Sequence, residues 1–383
     1  MKRCMTLLLA LLLAAGSALA AMAEPPREMP VQVKAKSALL MDADTGEILL
    51  AQNAHEKLFP ASVTKIMTLL LVMEALDTGK IKKTDIVTAS KNAASKGGSQ
   101  IWLKEGERMS VDDLLKAAAV YSANDACTLL GEYLAGSEEA FNVQLNERAA
   151  QLGMTNTHFD NCTGLDDTTD THLTTAHDVA LMSRELLRHE DIIAYTTIWM
   201  DTLRGGETEL VNTNKLIRFF QGVTGLKTGT TAKAGCCVSA SAKRDGTHLI
   251  AVVMGSAASS DRFDGAKAML NWGFANYETV LPELDSTLLA PVKVIGGVQE
   301  RILPQLPQAK KLLLPKNRKR EITQEADLAL DVAAPVEQGQ LLGHIYLKAD
   351  GAIIGEYSLT AGEAVRRLTF RDLFFRLFAS LAK

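Results

Sequence analysis

One stretch constrains this 383-residue chain more than any other: FPASVTKIMTLLLVMEAL, Phe59–Leu76. After its opening residues it is almost wholly apolar, so a helix here must be covered on most sides. A helix buried that completely needs other layers around it, and the chain is long enough for two or three domains and a sizeable core. Yet the run opens with Ser62 and Lys65, three residues apart and therefore on one helix face. Lysine is rarely buried without a reason. Pro60 suits the first turn of a helix, which would set Ser62 at the positive end of the helix dipole.

The rest of the pattern says what could cover that helix. Lys36–Ala54 reads as two apolar runs about Asp44-Thr45-Gly46, a hairpin. Ser110–Gly136 reads as two helices, the first capped by Ser110 with Asp113, with Tyr121-Ser122-Ala123-Asn124 in the turn between them. Further helices are expected over Ser137–Gly153 and Thr174–His189, with a polar loop, His158–His172, between. From Val223 to Gly255 two strands meet at Arg244-Asp245-Gly246, and a helix follows over Asp264–Tyr277. Strands near both ends with helices between them predict an α+β domain over 24–280, the early hairpin joining the sheet of the later strands. From 281 to 362, short apolar runs split by Pro, Gly and charge predict a small, β-sandwich-like all-β domain.

The two ends carry their own signals. Lys2 and Arg3, the apolar run Cys4–Gly16 and small residues at Ala18, Ala20, Ala21 and Ala23 have the layout of a signal peptide over 1–23. Cleavage before Ala21 or Glu24 is expected. An uncleaved anchor is the alternative, but the run is short for it. Residues 363–383 form an amphipathic pattern on a helix: Arg367, Arg371, Asp372, Arg376 and Lys383 on one side, Phe370, Phe374, Leu377, Phe378 and Leu381 on the other. A basic face beside a Phe/Leu face suggests binding to a membrane surface; packing against the β-domain is the alternative. With 41 Lys+Arg against 45 Asp+Glu, the charge balance argues against nucleic acid as a partner. Cys127, Cys162, Cys236 and Cys237 lack the spacing of a disulfide framework and read as buried small residues, one disulfide being possible. No metal-type Cys/His spacing occurs, so neither metal nor cofactor is expected.

A serine hydroxyl is a weak nucleophile until a base takes its proton. Lysine can be that base only when neutral, and burial or a second cation lowers its pKa towards that state. Alone, Ser-x-x-Lys is a weak signal; Ser380–Lys383 spells it too. Two further motifs raise its weight. Ser122-Ala123-Asn124 lies between two helices, where the local reading is one helix ending and the next being capped. Lys227-Thr228-Gly229 lies on an expected strand, where the local reading is an edge lysine beside a glycine bulge. The three together, in this order and on these elements, are hard to obtain by chance.

The triple resembles the penicillin-recognising serine enzymes, penicillin-binding proteins and class A β-lactamases. The stretches ASVTKIMT, GGSQIWL, YSANDA, LGMTNTHFDNCTGLDD, GLKTGTTAKAG and NWGFANYETV, with the layout of signal, peptidase domain, β-domain and tail, resemble the low-molecular-mass D-alanyl-D-alanine carboxypeptidases. The resemblance implies a transpeptidase-like fold, an antiparallel sheet with a helical cluster. It implies Ser62 as nucleophile on a peptidoglycan stem peptide ending in D-Ala-D-Ala, Lys65 as its base, and Ser122 as proton relay to the leaving amine, helped by Lys227. Asn124 would position the substrate amide, and Thr228 with Lys227 would hold its terminal carboxylate. The backbone N–H groups of Ser62 and Thr230 would form the oxyanion hole. β-Lactam antibiotics would acylate the same serine. The place of action would be the outer face of the bacterial cytoplasmic membrane, reached through the tail. Arg262 could also reach the carboxylate but is not counted in the site. Many relatives carry histidine where this chain has Thr230, which still supplies an N–H.

Two other readings compete. A β-lactamase of this fold would need fast deacylation, for which class A enzymes use a Glu-x-x-Leu-Asn loop that this sequence lacks. A non-catalytic wall-associated scaffold would have no physical need for a lysine on a buried helix.

Overall fold

The computed structural model describes residues 30–316 and 322–381, with side chains through 375. The expected signal peptide therefore lies outside the described residues.

A five-stranded antiparallel sheet organises the first two thirds. Its strands are β1 (Ser37–Asp42), β2 (Ile48–Gln52), β3 (Val223–Thr231), β4 (Gly235–Arg244) and β5 (Thr247–Ser256), in the order β2-β1-β5-β4-β3. The early hairpin thus joins the late strands, as the pattern predicts: Leu39 pairs with Val252 and Leu40 with Ala251. Every residue of β1 is buried, because helices cover both faces of the sheet. Alternation sorts its side chains. Leu39 and Met41 enter the larger core, and Ala38 and Leu40 the core on the opposite face.

The helix of the apolar run is α1 (Lys65–Asp77). It stands in the larger core among α2 (Val111–Lys116), α3 (Asn124–Ala135), α4 (Glu138–Gln151) and α5 (Ala176–Leu186). Ile66, Met67, Leu69, Leu70, Val72 and Met73 are each 1% exposed or less, contributing on the order of 2 kcal/mol per side chain. The opposite core packs α6 (Ser259–Asn276) on the sheet through Phe263, Ala266, Met269 and Leu270. Ser110 caps α2 by accepting the Asp113 N–H at 3.1 Å, as the sequence leads one to expect.

The C-terminal part is built of short strands. The largest of its sheets contains β6 (Thr323–Leu328), β7 (Leu341–Ala349) and β8 (Ala352–Ala361). Asp350 and Gly351, both at positive φ, turn β7 into β8. The tail differs from the expectation of one helix from 363. Helix α7 spans Phe370–Leu381, whereas Val365 bridges to Val336 and Arg367 to Gly297 in the β-domain. Val365 is 1% exposed in the β-domain core, so burial of that valine holds the chain extended until Thr369. The Thr369 and Asp372 side chains then open the helix, Asp372 also taking a bidentate pair from Arg366. Phe370, Leu373, Phe374 and Phe375 are all exposed; the rest of the expected apolar stripe lies beyond the described side chains.

Candidate active site

Ser62 sits in a single 3-10 turn, Ala61–Thr64, immediately before α1. Ala61 enters that turn at φ 47°, a left-handed conformation that an alanine adopts only at an energetic cost. Lys65, fully buried, places Nζ 2.9 Å from Ser62 Oγ, 2.5 Å from Asn124 Oδ1 and 2.7 Å from the Thr163 carbonyl oxygen. Burial pushes its pKa down, against weaker opposing contributions from Cys127, Cys162 and Asp125. In the neutral amine two N–H bonds would fill the two carbonyl-type acceptors, leaving the lone pair to face the Ser62 hydroxyl. That is the arrangement a serine nucleophile requires of its base.

Ser122 follows a π turn, Ala117–Tyr121, and itself lies at φ 66° and ψ 30°. Such turns and left-handed non-glycine residues gather at functional positions. Its Oγ is buried and accepts or donates no hydrogen bond. Asn124 begins α3 rather than capping it; the cap position is Ala123. The asparagine side chain bridges outward instead, Nδ2 donating to the Gly97 carbonyl at 2.7 Å, while its backbone N–H donates to the Ser99 carbonyl at 2.7 Å.

Lys227, Thr228 and Thr230 lie on β3, at the edge of the sheet. Lys227 is 1% exposed, and burial together with the nearby Lys65 holds its pKa well below the ordinary lysine value. Its Nζ donates to the Thr228 carbonyl at 3.2 Å. The Thr228 hydroxyl donates to Thr213 Oγ1 at 2.7 Å. Gly229 explains the third letter of its motif: a Cβ there would stand 2.8 Å from both the Pro60 carbonyl oxygen and the Ser62 nitrogen. Only glycine lets the strand approach the nucleophile turn this closely.

Arg262, 7% exposed on α6, braces this strand. Its Nη1 donates to the Gly229 carbonyl at 2.8 Å, to Thr230 Oγ1 at 2.9 Å and to the Cys237 carbonyl at 3.2 Å. Among the described residues, Lys65, Lys227 and Arg262 form no salt bridge, so three buried basic side chains of this region have no carboxylate partner. A cleft of about 740 Å³ lies between Ile101 and Trp102 on one side and Arg204 and Glu207 on the other; Tyr121, the residue before Ser122, lines it, while none of the candidate site residues does.

The Lys65 amine joins Ser62 and Asn124 by hydrogen bonds. Lys227 lies near enough for Lys65 to act on its charge. Thr228 and Thr230 flank Gly229, whose backbone approaches the Ser62 turn. The Ser122 hydroxyl, two residues before Asn124, hydrogen-bonds to none of them. The loop 160–171 is the part that sequence reasoning missed. It supplies the Thr163 carbonyl to Lys65, and its Asp166 accepts a 2.5 Å hydrogen bond from the Thr231 hydroxyl. A carbonyl leaves no mark on the side-chain pattern. Gly164 was the available signal: it sits at φ 87°, and a Cβ would stand 1.8 Å from the Ala61 carbonyl oxygen. The four cysteines are free and buried, so the possible disulfide is absent from this structure. Burial raises the Cys127 and Cys237 thiols to about 11, leaving them unreactive.

Comparison with known proteins covers most of the chain. A family profile described as D-alanyl-D-alanine carboxypeptidase matches residues 20–258, and a profile of the penicillin-binding protein 5 C-terminal domain matches 277–367. The chain is 41% identical over 354 residues to D-alanyl-D-alanine carboxypeptidase DacF of Bacillus subtilis, covering 91% of this chain and 90% of that protein. It is 36% identical to DacC of Escherichia coli, over 92% and 91% of the two chains. Penicillin-binding protein 5 from Haemophilus influenzae has a similar crystal structure, with a TM-score of 0.79 and 30% identity over 88% of this chain and 99% of that one. Penicillin-binding protein D2 from Listeria monocytogenes, in its cefotaxime-bound form, matches with a TM-score of 0.60 and 31% identity over 64% of this chain and 100% of that one.

Proposed function

The chain belongs to the D-alanyl-D-alanine carboxypeptidases, penicillin-binding serine hydrolases of the cell wall, and we propose that Ser62 is the residue that substrate and antibiotic acylate. The neutral Lys65 amine takes the Ser62 proton as Oγ attacks the carbonyl carbon between the two terminal D-alanines of a stem peptide. The negative oxygen that forms is met by the backbone N–H groups of Ser62 and Thr230. As the C–N bond breaks, the proton passes from Lys65 through Ser122 to the departing D-alanine amine, Lys227 assisting. Water then attacks the ester carbonyl. Lys65 takes a proton from it and passes that proton to Ser62 Oγ as the acyl–oxygen bond breaks, which releases the shortened peptide and restores the neutral amine beside the hydroxyl. Asn124 orients both the lysine and the substrate amide.

One observation supports exopeptidase action above the rest: the buried basic side chains of Lys65, Lys227 and Arg262 have no acidic partner among the described residues. Charging an unpaired buried amine is costly. A terminal carboxylate arriving beside Thr228 and Lys227 supplies the missing charge, and an internal peptide bond cannot. In the empty cleft, burial disfavours the charged form of Lys227, so carboxylate binding brings proton uptake at that lysine. The roughly 740 Å³ cleft beside Tyr121 offers room for the rest of the stem peptide.

The reading extends to location. Export through residues 1–23 and docking of α7 on the outer face of the cytoplasmic membrane would hold the enzyme against its substrate layer. The exposed Phe370, Leu373 and Phe374 support that docking. Among the described residues no helix is long and apolar enough to cross a membrane.

The test is release of D-alanine from a pentapeptide ending in D-Ala-D-Ala. Ser62→Ala should release none while keeping the native thermal transition. Release at more than a trace overturns the assignment of Ser62.

A further inference from the structure

The strained residue before the nucleophile is held by a chain of hydrogen bonds in which Thr64 meets His172, 108 residues away in sequence. His172 is fully buried. Its Nδ1 lies 3.0 Å from the Asp160 backbone nitrogen, which can only donate, so Nδ1 accepts and the ring proton resides on Nε2. Nε2 then donates to Thr64 Oγ1 at 2.8 Å. With its lone pair so used, the Thr64 hydroxyl donates to the Ala61 carbonyl oxygen at 2.9 Å. Each group in the chain has one direction open to it, and the direction runs from the Asp160 N–H to Ala61.

Ala61 C=O and Ser62 N–H belong to one peptide unit. That unit is planar and trans, so its carbonyl and its N–H point in opposite directions. Anchoring the carbonyl therefore fixes where the N–H points. The same peptide is hemmed by Gly164 on its carbonyl side and Gly229 on its nitrogen side, at positions where any Cβ would collide with it. Ala61 at φ 47° would relax without such an anchor.

The geometry points to His172 as a positioning residue for the reaction: through Thr64 it orients the Ala61–Ser62 peptide and so aims the Ser62 N–H at the developing oxyanion. His172 touches no reacting atom. The inference rests on the reading of Ser62 as nucleophile and of its N–H as an oxyanion donor.

The test compares acylation by a fluorescent penicillin in Thr64→Val, Thr64→Ser, His172→Phe and the Val/Phe double variant, with thermal unfolding of each. Thr64→Val preserves shape and removes the hydroxyl; Thr64→Ser preserves the hydroxyl. Misaiming one oxyanion donor should slow the acylation step roughly 10- to 100-fold, somewhat less than deleting one. The pre-covalent dissociation constant should stay within about twofold. Thr64→Ser should acylate within about threefold of the native rate. The double variant should be no slower than the slower single variant, because both act through one peptide. Native-rate acylation by folded Thr64→Val overturns the proposal, as does an equal loss in Thr64→Ser or an additive loss in the double variant. If Thr64→Val does not fold, His172→Gln takes its place. It keeps an N–H near the Nε2 position and should acylate close to the native rate; a loss as large as that of His172→Phe overturns the proposal. If the native protein carries its penicillin on a residue other than 62, the assignment of Ser62 fails first, a result distinct from all of these.

Discussion

The two parts of this molecule bury different things. Up to residue 262 the interior holds Lys65, Lys227, Arg262, His172, Asn124 and the Ser122 hydroxyl; beyond it, no described polar or charged residue falls in the buried class. Backbone strain divides the same way. Ala61, Trp102 and Ser122 take positive φ without being glycine, whereas Asp350, alone among described non-glycine residues after 277, does so in an ordinary hairpin turn. The interior of the β-domain is apolar: β6 alternates exposed and half-buried residues, and Ile345, Leu347 and Leu359 form a small core. Burying basic groups without acidic partners is costly to fold, and so is backbone strain. Both gather around one serine, as expected where a fold holds chemistry.

If that division is functional, damage to the first part should cost rate and damage to the second should cost only stability. The largest effect is expected for Lys65→Met, which removes the base but keeps the length: penicillin acylation should fall by about 10⁴-fold or more, read by single-turnover labelling. Acylation within tenfold of native would mean that Lys65 is not the base. Gly229→Ala comes next. Its Cβ would meet the Pro60 carbonyl and the Ser62 nitrogen, and displacing the strand should slow acylation roughly 100-fold, on the scale of losing one oxyanion donor.

The comparison also predicts an asymmetry in acid. Burial lowers the pKa of His172 and of His248 to about 4, below the usual 6.5. A neutral buried histidine contributes stability that is complete above pH 6.5 and is lost as pH falls towards 4. Each should cost the first part about 2–3 kcal/mol between pH 7 and pH 4.5. All three tryptophans, Trp102, Trp199 and Trp272, precede the β-domain, Trp272 standing on α6 against the five-stranded sheet, so denaturant unfolding followed by their fluorescence reports the larger domain selectively. An unchanged midpoint at pH 4.5 would contradict the assignment of neutral buried histidines. In the β-domain, Ile345→Ala should destabilise by roughly 2–5 kcal/mol while acylation at 25 °C stays within twofold. Ending the chain at residue 369 should alter rate and stability least of all. It should abolish sedimentation with anionic lipid vesicles; continued sedimentation would remove α7 from the membrane reading.

Much of this was legible in the sequence, and the parts that were not share a cause. The apolar run of Phe59–Leu76 and the hairpin turns at Asp44–Gly46 and Asp245-Gly246 announced the helix and strands, because side-chain pattern and turn chemistry are local. The three motifs marked Ser62, Lys65, Ser122, Asn124 and Lys227, although short motifs recur by chance: Ser90–Asn92 also spells Ser-x-Asn, and there Ser90 merely caps a four-residue helix. What stayed hidden works through the backbone or across distance. The Thr163 carbonyl has no side-chain signature. His172 acts on Ala61 only because the loop folds over the turn. The start of α7 moved to Phe370 because Val365 finds a partner in Val336, a tertiary contact that overrides helical pattern.

The central claim is that burial keeps the Lys65 amine uncharged beside Ser62. Carbon-13 NMR of lysine Cε, with Lys65 assigned by its absence in Lys65→Met, measures that charge directly. The account predicts that Lys65 titrates well below the surface lysines and is neutral where the enzyme acylates fastest. A Lys65 signal that titrates together with the surface lysines would contradict it.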